Sequence, residues 1–116
     1  MNTRAIGDRG EQAAARFLQG QGWQVVVQNF RGRRGEVDII ALDGDTWVFI
    51  EVKTRNTSRF GTGRESVDVR KQRRIAAAAE EFLARRGALD AKARFDVIEC
   101  SDSGKACHIT NAFECK

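Results

Sequence analysis

Apolar and small residues recur at Ile6, Gly10, Ala13, Ala14, Phe17 and Leu18, the spacing of one helical face, so a first amphipathic helix is predicted over residues 3–20, closed by Gly20 and Gly22. Trp23 to Phe30 reads as a strand, with Val25 and Val27 on one face and Val26 on the other. Residues 35–55, GEVDIIALDGDTWVFIEVKTR, carry two further strands joined at Gly44-Asp45. The segment 55–64 holds Gly61 and Gly63 and reads as a mobile loop. From Asp68 to Arg86, Val69, Ile75, Ala76, Ala79, Phe82 and Leu83 mark a second amphipathic helix, closed by Gly87. Arg94 to Cys100 is predicted as a strand, Ser101 to Gly104 as a turn, and Cys107 to Thr110 as a short returning strand. The order is helix, three strands, helix, then one or two strands. With no repeat, linker or proline, residues 1–116 are expected to form a single domain.

A two-residue turn with Gly first is a favoured hairpin connection. It sets Asp43 opposite Thr46, and the same register sets Asp38 opposite Glu51 and Glu36 opposite Lys53. Strand side chains alternate with period two, so these four charges share one face. Ile40, Phe49, Leu42 and Trp47 follow on that face, while Val37, Ile39, Ala41, Val48, Ile50 and Val52 line the other. Two apolar faces are the mark of central strands covered by helices on both sides.

Glu36 and Lys53 can be an ordinary cross-strand ion pair, worth roughly 0.2–1 kcal/mol, but like charges directly opposed, as at Asp38 and Glu51, destabilise a ladder. Two hard carboxylates with room left for water and phosphate suit Mg²⁺. Protonation of one acid, or neutralisation of both by a neighbouring arginine, is the alternative.

Composition narrows the class. Hydrophobic residues make up 41% of the 116 and charged residues 31%, a globular balance, and no apolar run approaches the ~18 residues of a membrane span. The first residues carry charge and glycine where a signal peptide is apolar, so a cytoplasmic protein without membrane contact is expected. Cys100, Cys107 and Cys115 contain no C-x-x-C pair and fit reduced thiols. A zinc site joining them to His108 is disfavoured, because Cys107 and His108 are adjacent in a strand and point to opposite faces. The net charge is +4, and Arg59, Arg64, Arg70, Lys71, Arg73 and Arg74 against Glu65 and Asp68 account for the excess. With Arg31, Arg33 and Arg34 just before the hairpin, these clusters suit a polyanion such as nucleic acid, or are simply a solvated basic face.

Glu36-Val37-Asp38, followed by Phe49-Ile50-Glu51-Val52-Lys53-Thr54-Arg55, resembles the core of the YraN-type bacterial family. That family is similar to archaeal Holliday junction resolvases, within the restriction-endonuclease-like superfamily with its D…(D/E)-x-K signature. Gly7-Asp8-Arg9-Gly10-Glu11, Asn29-Phe30-Arg31, Lys71, Arg94-Phe95-Asp96 and Asn111-Ala112-Phe113 match further family positions, so the resemblance covers almost the whole chain. It implies a three-layer α/β/α fold with a central mixed sheet. It further implies Asp38 and Glu51 as ligands of Mg²⁺ or Mn²⁺, and Lys53 as the residue that helps activate the nucleophile. A glutamate from the first helix reaches the metal in resolvase-like relatives, which makes Glu11 a candidate third ligand. Without that analogy, Glu11 reads as a surface residue suited to the helix dipole.

Three functions follow as expectations. The first is metal-dependent hydrolysis of phosphodiesters in nucleic acid, DNA before RNA, selected by structure and including branched DNA. Asp38, Glu51, Lys53 and Glu36 would be the catalytic group, and Arg31, Arg33, Arg34, Arg55 and Lys71 the phosphate grip. The second is a nucleic-acid-binding module of the same fold without turnover, and the third a partner protein whose basic helix docks an acidic surface. Resolvase-like relatives act as dimers, so a homodimer is among the expectations.

Overall fold

The computed structural model describes residues 3–55 and 67–114, with side chains from residue 9 onward. Its elements are α1 (Thr3–Gly20), β1 (Gln24–Arg31), β2 (Glu36–Asp43), β3 (Thr46–Arg55), α2 (Val69–Arg85), β4 (Ala93–Ser101) and β5 (Ala106–Phe113). The five strands form one mixed sheet in sequence order, antiparallel except between β3 and β4, which α2 connects as a parallel crossover. The expected loop at Gly61 and Gly63, the charges Arg59, Arg64 and Glu65, the motif positions Gly7 and Asp8, and Cys115 lie outside the described residues or side chains.

Both helices end by the same device. The amide of Gly22 bonds Gln19 and that of Trp23 bonds Leu18; Gly87 bonds Ala84 and Ala88 bonds Leu83. These are Schellman closures, which need a left-handed residue after the helix, and Gly22 and Gly87 have φ of 88° and 66°. Trp23 and Ala88 then turn back onto the cores that contain Leu18 and Leu83. At the start of α2, Asp68 accepts a hydrogen bond from the Lys71 amide at 2.8 Å, the N-cap bond that fixes where the helix begins.

The sheet is covered on both faces. Ala14, Ala15 and Leu18 of α1 pack on Ile39, Ala41, Val48, Ile50, Ile98 and Cys100. Ile75, Ala78, Ala79, Phe82 and Leu83 of α2 pack on the opposite face over Ile40, Phe49 and Phe113. Three layers result, as expected for strands apolar on both sides.

The β2–β3 register is the one that the Gly44-Asp45 turn dictates, from Asp43 opposite Thr46 to Ile39 opposite Ile50. Gly44 has φ of 63° while Asp45 is not left-handed, the signature of a type II′ rather than a type I′ turn. Strict alternation fails elsewhere. A bulge lies between Val25 and Val27, so Val27 joins Val26 on the α2 side and leaves Val25 on the α1 side. Val37 also packs on the α2 side, away from Ile39. The last strand is longer than the predicted Cys107–Thr110 and carries its own irregularity at Asn111, whose φ is 53°.

The turn before β2 lies directly on α2. A methyl group at Gly35 would sit 1.9 Å from the Arg74 carbonyl oxygen, whereas one at Gly20 would meet nothing within 4 Å. Gly35→Ala should therefore cost about 2–3 kcal/mol in urea unfolding by overpacking against backbone, and Gly20→Ala should be neutral or stabilising. Equal midpoints for the two variants would contradict this packing.

Candidate active site

The β2–β3 ladder stops at Ile39 and Ile50, so the next facing pairs expected from the turn, Asp38 with Glu51 and Glu36 with Lys53, are not ladder partners. Instead the Asp38 carboxylate accepts a hydrogen bond from the Val52 amide at 2.8 Å. A side chain has taken the place of the neighbouring strand's carbonyl, which parts the strands and leaves Asp38 beside Glu51. The two carboxyl groups lie close enough that each perturbs the ionisation of the other.

Glu51 is 6% exposed. Burial and then the charge of Asp38 push its carboxyl up to about 7 from the usual 4.5, against the opposing pull of Lys71 and Lys53. Burial also raises Asp38, with Glu36 adding to the rise, while the Val52 amide and Lys71 work against it. The ammonium of Lys71, from the first turn of α2, stands 3.6 Å from Glu51 Oε1. That is an ion pair too long to be a hydrogen bond. Among the described residues, Glu51 Oε2 is buried without a hydrogen-bond partner. Such an atom costs on the order of 1–3 kcal/mol or more unless something outside the chain satisfies it.

Of the residues singled out from the sequence, Asp38, Glu51 and Lys71 come together, with Lys53 and Glu36 near enough to be felt. Arg55 follows Lys53 by two positions and lies 3.5 Å from Glu99 of β4. Arg31 pairs with Glu36 at the end of the β1–β2 ladder. Glu11 instead accepts a hydrogen bond from the Asn29 side chain at 2.7 Å. No group of three or more His, Cys, Asp or Glu side chains among the described residues is arranged to hold a metal. Arg33 and Arg34 line a shallow cleft of about 320 Å³ with Glu81 and Arg85. The Arg33 amide donates to Glu81 at 2.8 Å, ten residues and about 15 Å along α2 from Lys71.

Glu99 is the residue that sequence reasoning missed. It is fully buried and sits beside Lys53 in the parallel β3–β4 register. A glutamate within the apolar run Val97-Ile98-Glu99-Cys100 is the signal that was present.

A second buried acid shows what a satisfied one looks like. Asp96 accepts from His108 Nε2 at 2.7 Å, from the Asn111 amide at 2.8 Å and from Arg94 Nε at 3.1 Å. Burial alone would raise its carboxyl, but these bonds outweigh it and hold it below the usual range. The histidine once weighed as a zinc ligand thus serves Asp96.

A model of the Uncharacterised protein family UPF0102 matches residues 10–100, which include every residue of this site. The chain belongs to that family. It is 47% identical to a UPF0102 protein of Geobacter sulfurreducens, over 97% of this chain and 91% of the relative. A UPF0102 protein of Symbiobacterium thermophilum is also 47% identical, over 96% and 98%. One from Geobacter metallireducens is 44% identical, over 98% and 96%. The UPF0102 family is the YraN-type family that the Glu36–Arg55 core resembles.

Because folding holds a proton on Glu51 that the unfolded chain releases near pH 4.5, the folded state binds more protons up to about pH 7. Without divalent cation, stability should fall as pH rises through that window, by on the order of 2–3 kcal/mol. Asp38→Asn keeps an acceptor for the Val52 amide and should flatten the slope and melt higher near pH 8. Asp38→Ala leaves that amide unpaired and should melt lower, by about 1–3 kcal/mol. Thermal melts in EDTA decide it, and a wild-type slope retained in Asp38→Asn would refute the coupling. In the same way Glu99→Gln should loosen Arg55 and destabilise the fold by about 1–3 kcal/mol, while Glu99→Leu should do so less, since it buries no unpaired polar group.

Proposed function

We propose that this UPF0102 protein is a metal-dependent nuclease that hydrolyses phosphodiester bonds of nucleic acid, DNA before RNA, choosing its substrate by structure rather than base sequence. The observation that carries the reading is the half-buried Asp38 beside the buried Glu51, whose Oε2 atom is unsatisfied among the described residues, at the parted ends of β2 and β3. Two carboxylates, one of them with an unused buried oxygen, fit Mg²⁺ or Mn²⁺, which retains waters and takes only one or two protein carboxylates. When bound, such an ion polarises a phosphoryl oxygen and lowers the pKa of a water.

The chain's own groups supply the rest. Glu51 would give up the proton that its raised pKa lets it keep near neutral pH, and both acids would act as ligands. Lys53 sits two positions beyond Glu51 on the same face of β3, where its ammonium can orient a water and stabilise charge developing on the phosphoryl oxygens. Lys71 approaches Glu51 from α2, and Arg55 and Arg31 stand at neighbouring strand ends. Contacts of that kind hold phosphates without reading bases. The D…E-x-K order of Asp38, Glu51 and Lys53 is also that of the restriction-endonuclease-like superfamily, which supports the reaction class by analogy. That only two acids converge among the described residues favours, as the second reading, a nucleic-acid-binding module without turnover.

Linear, nicked, single-stranded and four-way DNA incubated with the purified protein in Mg²⁺ or Mn²⁺ should be cut, four-way DNA preferentially. Asp38→Asn, Glu51→Gln and Lys53→Ala should each lower the rate by about 10²-fold or more. Cleavage undiminished in all three variants would mark a contaminant and end the proposal. Tight binding by the wild type without cleavage would favour the second reading.

A further inference from the structure

On the face of the sheet opposite the acid pair, a groove of about 480 Å³ runs between α1 and the ends of β3 and β4. Arg9 and Arg16 of α1 form one wall, and Thr54, Ser101 and Asp102 lie along the other. The groove has a built floor. Gly10 is buried against β3 so tightly that a methyl group there would be 2.8 Å from Thr54 Oγ1, and the Cys100 thiol donates to the Gly10 carbonyl at 3.5 Å. The thiol is thereby committed to packing, and the groove's chemistry is that of its exposed arginines.

Arg9 and Arg16 are two helical turns apart, so they project from one side of α1 about 10.5 Å from each other along its axis. Side chains as long as arginine's, set that far apart, can each reach a different phosphate of one strand, whose charges recur regularly at about 3.4 Å along the duplex axis. Thr54, in the groove, lies between Lys53 and Arg55, which face the α2 side with the acid pair. The end of β3 is therefore basic on one face and opens into an arginine-walled groove on the other. Asp102, at the β4–β5 turn, is the one acid among the described lining residues and keeps an anion toward α1.

We infer that this groove is a second backbone contact for nucleic acid, in which Arg9 and Arg16 hold the phosphates of a segment that passes around the end of β3 from the acid pair. The inference rests on the nucleic-acid reading of that pair for the identity of the polyanion. It adds that the protein grips two separate stretches of substrate, one per face of the sheet, as a bent or branched nucleic acid presents. Evenly spaced phosphates suit two fixed arginines better than the irregular carboxylates of an acidic peptide.

The test is binding without catalysis. Fluorescence anisotropy of the full chain in EDTA, with labelled 30-nucleotide single strands, duplexes and four-way junctions from about 50 to 200 mM salt, should give the strongest binding to the junction. Arg9→Gln and Arg16→Gln should each make the log–log salt slope shallower by about 0.7–0.9, the value of one phosphate contact. Each should also weaken junction binding more than single-strand binding. Lys92→Gln, the same loss of charge at the opposite end of the sheet, should leave the slope unchanged. Circular dichroism checks that α1 remains folded. Slopes for Arg9→Gln and Arg16→Gln equal to that of Lys92→Gln, with the wild type binding normally, would overturn the groove and leave the nuclease reading intact. Equal competition by polyglutamate of matched charge would overturn its assignment to a nucleic-acid backbone. Failure of the wild type to bind any of the three nucleic acids would overturn both readings.

Discussion

A single hydrogen bond, from the Val52 amide to the Asp38 carboxylate, decides what the end of this sheet can do. It replaces the next rung of the β2–β3 ladder, parts the strands, and draws an acid from β2 toward Glu51 of β3. The Val52 amide is satisfied, and β3 continues to Arg55 alongside β4. What is left over is an excess of negative charge in a place mostly withdrawn from water. The same device recurs at Asp96, which takes the Asn111 amide where the β4–β5 register slips. There, however, His108 and Arg94 close in on the acid and hold its carboxyl below the usual range. One fold thus carries both a neutralised and an unneutralised version of one motif. The difference is hard to assign to packing, because the chain demonstrably supplies partners to a buried carboxylate where structure alone requires them.

The cation that comes nearest is placed by helix geometry rather than by attraction to the site. Asp68 caps α2 by binding the amide of Lys71, which fixes the first turn, and the crossover from β3 sets that turn over the end of the strand it follows. The Lys71 ammonium therefore reaches Glu51 Oε1 but halts at 3.6 Å. The backbone of Arg74 lies directly against Gly35, which holds the helix to the start of β2. Lys71 lowers the electrostatic cost of the acid pair without cancelling it.

How much of this could be read from the chain follows from which signals are local. The hairpin register was legible because turn chemistry and two-residue alternation both act over a few residues, and Gly44 admits few alternatives. The point at which the ladder ends was not, since it depends on a side chain competing with a backbone carbonyl for one amide. Val37 and Val27 miss their expected faces for the related reason that one extra or rotated residue inverts everything beyond it. The approach of Asp38 to Glu51 needs only neighbouring strands, whereas the placement of Glu99 beside Lys53 depends on a crossover whose register the sequence does not fix, so the apolar run around Glu99 signals its burial but not its neighbours. Arg33 and Arg34 counted equally with Arg31 as sequence, yet Glu81 ties their loop along the far half of α2.

These placements bear on why so small a sheet keeps a strained corner. Near neutral pH the Glu51 carboxyl is close to its midpoint, so the charge that the pair carries changes there. A proton relieves the repulsion but leaves Oε2 buried and unsatisfied; a divalent cation can address both acids and that oxygen at once. A structural ion pair would have been satisfied by a shift of Lys71 of well under an ångström, or by an arginine of the kind that serves Asp96. That no described residue does so, while basic side chains gather on the strand ends around the pair, makes electrostatic incompleteness the defining property of this corner among the described residues.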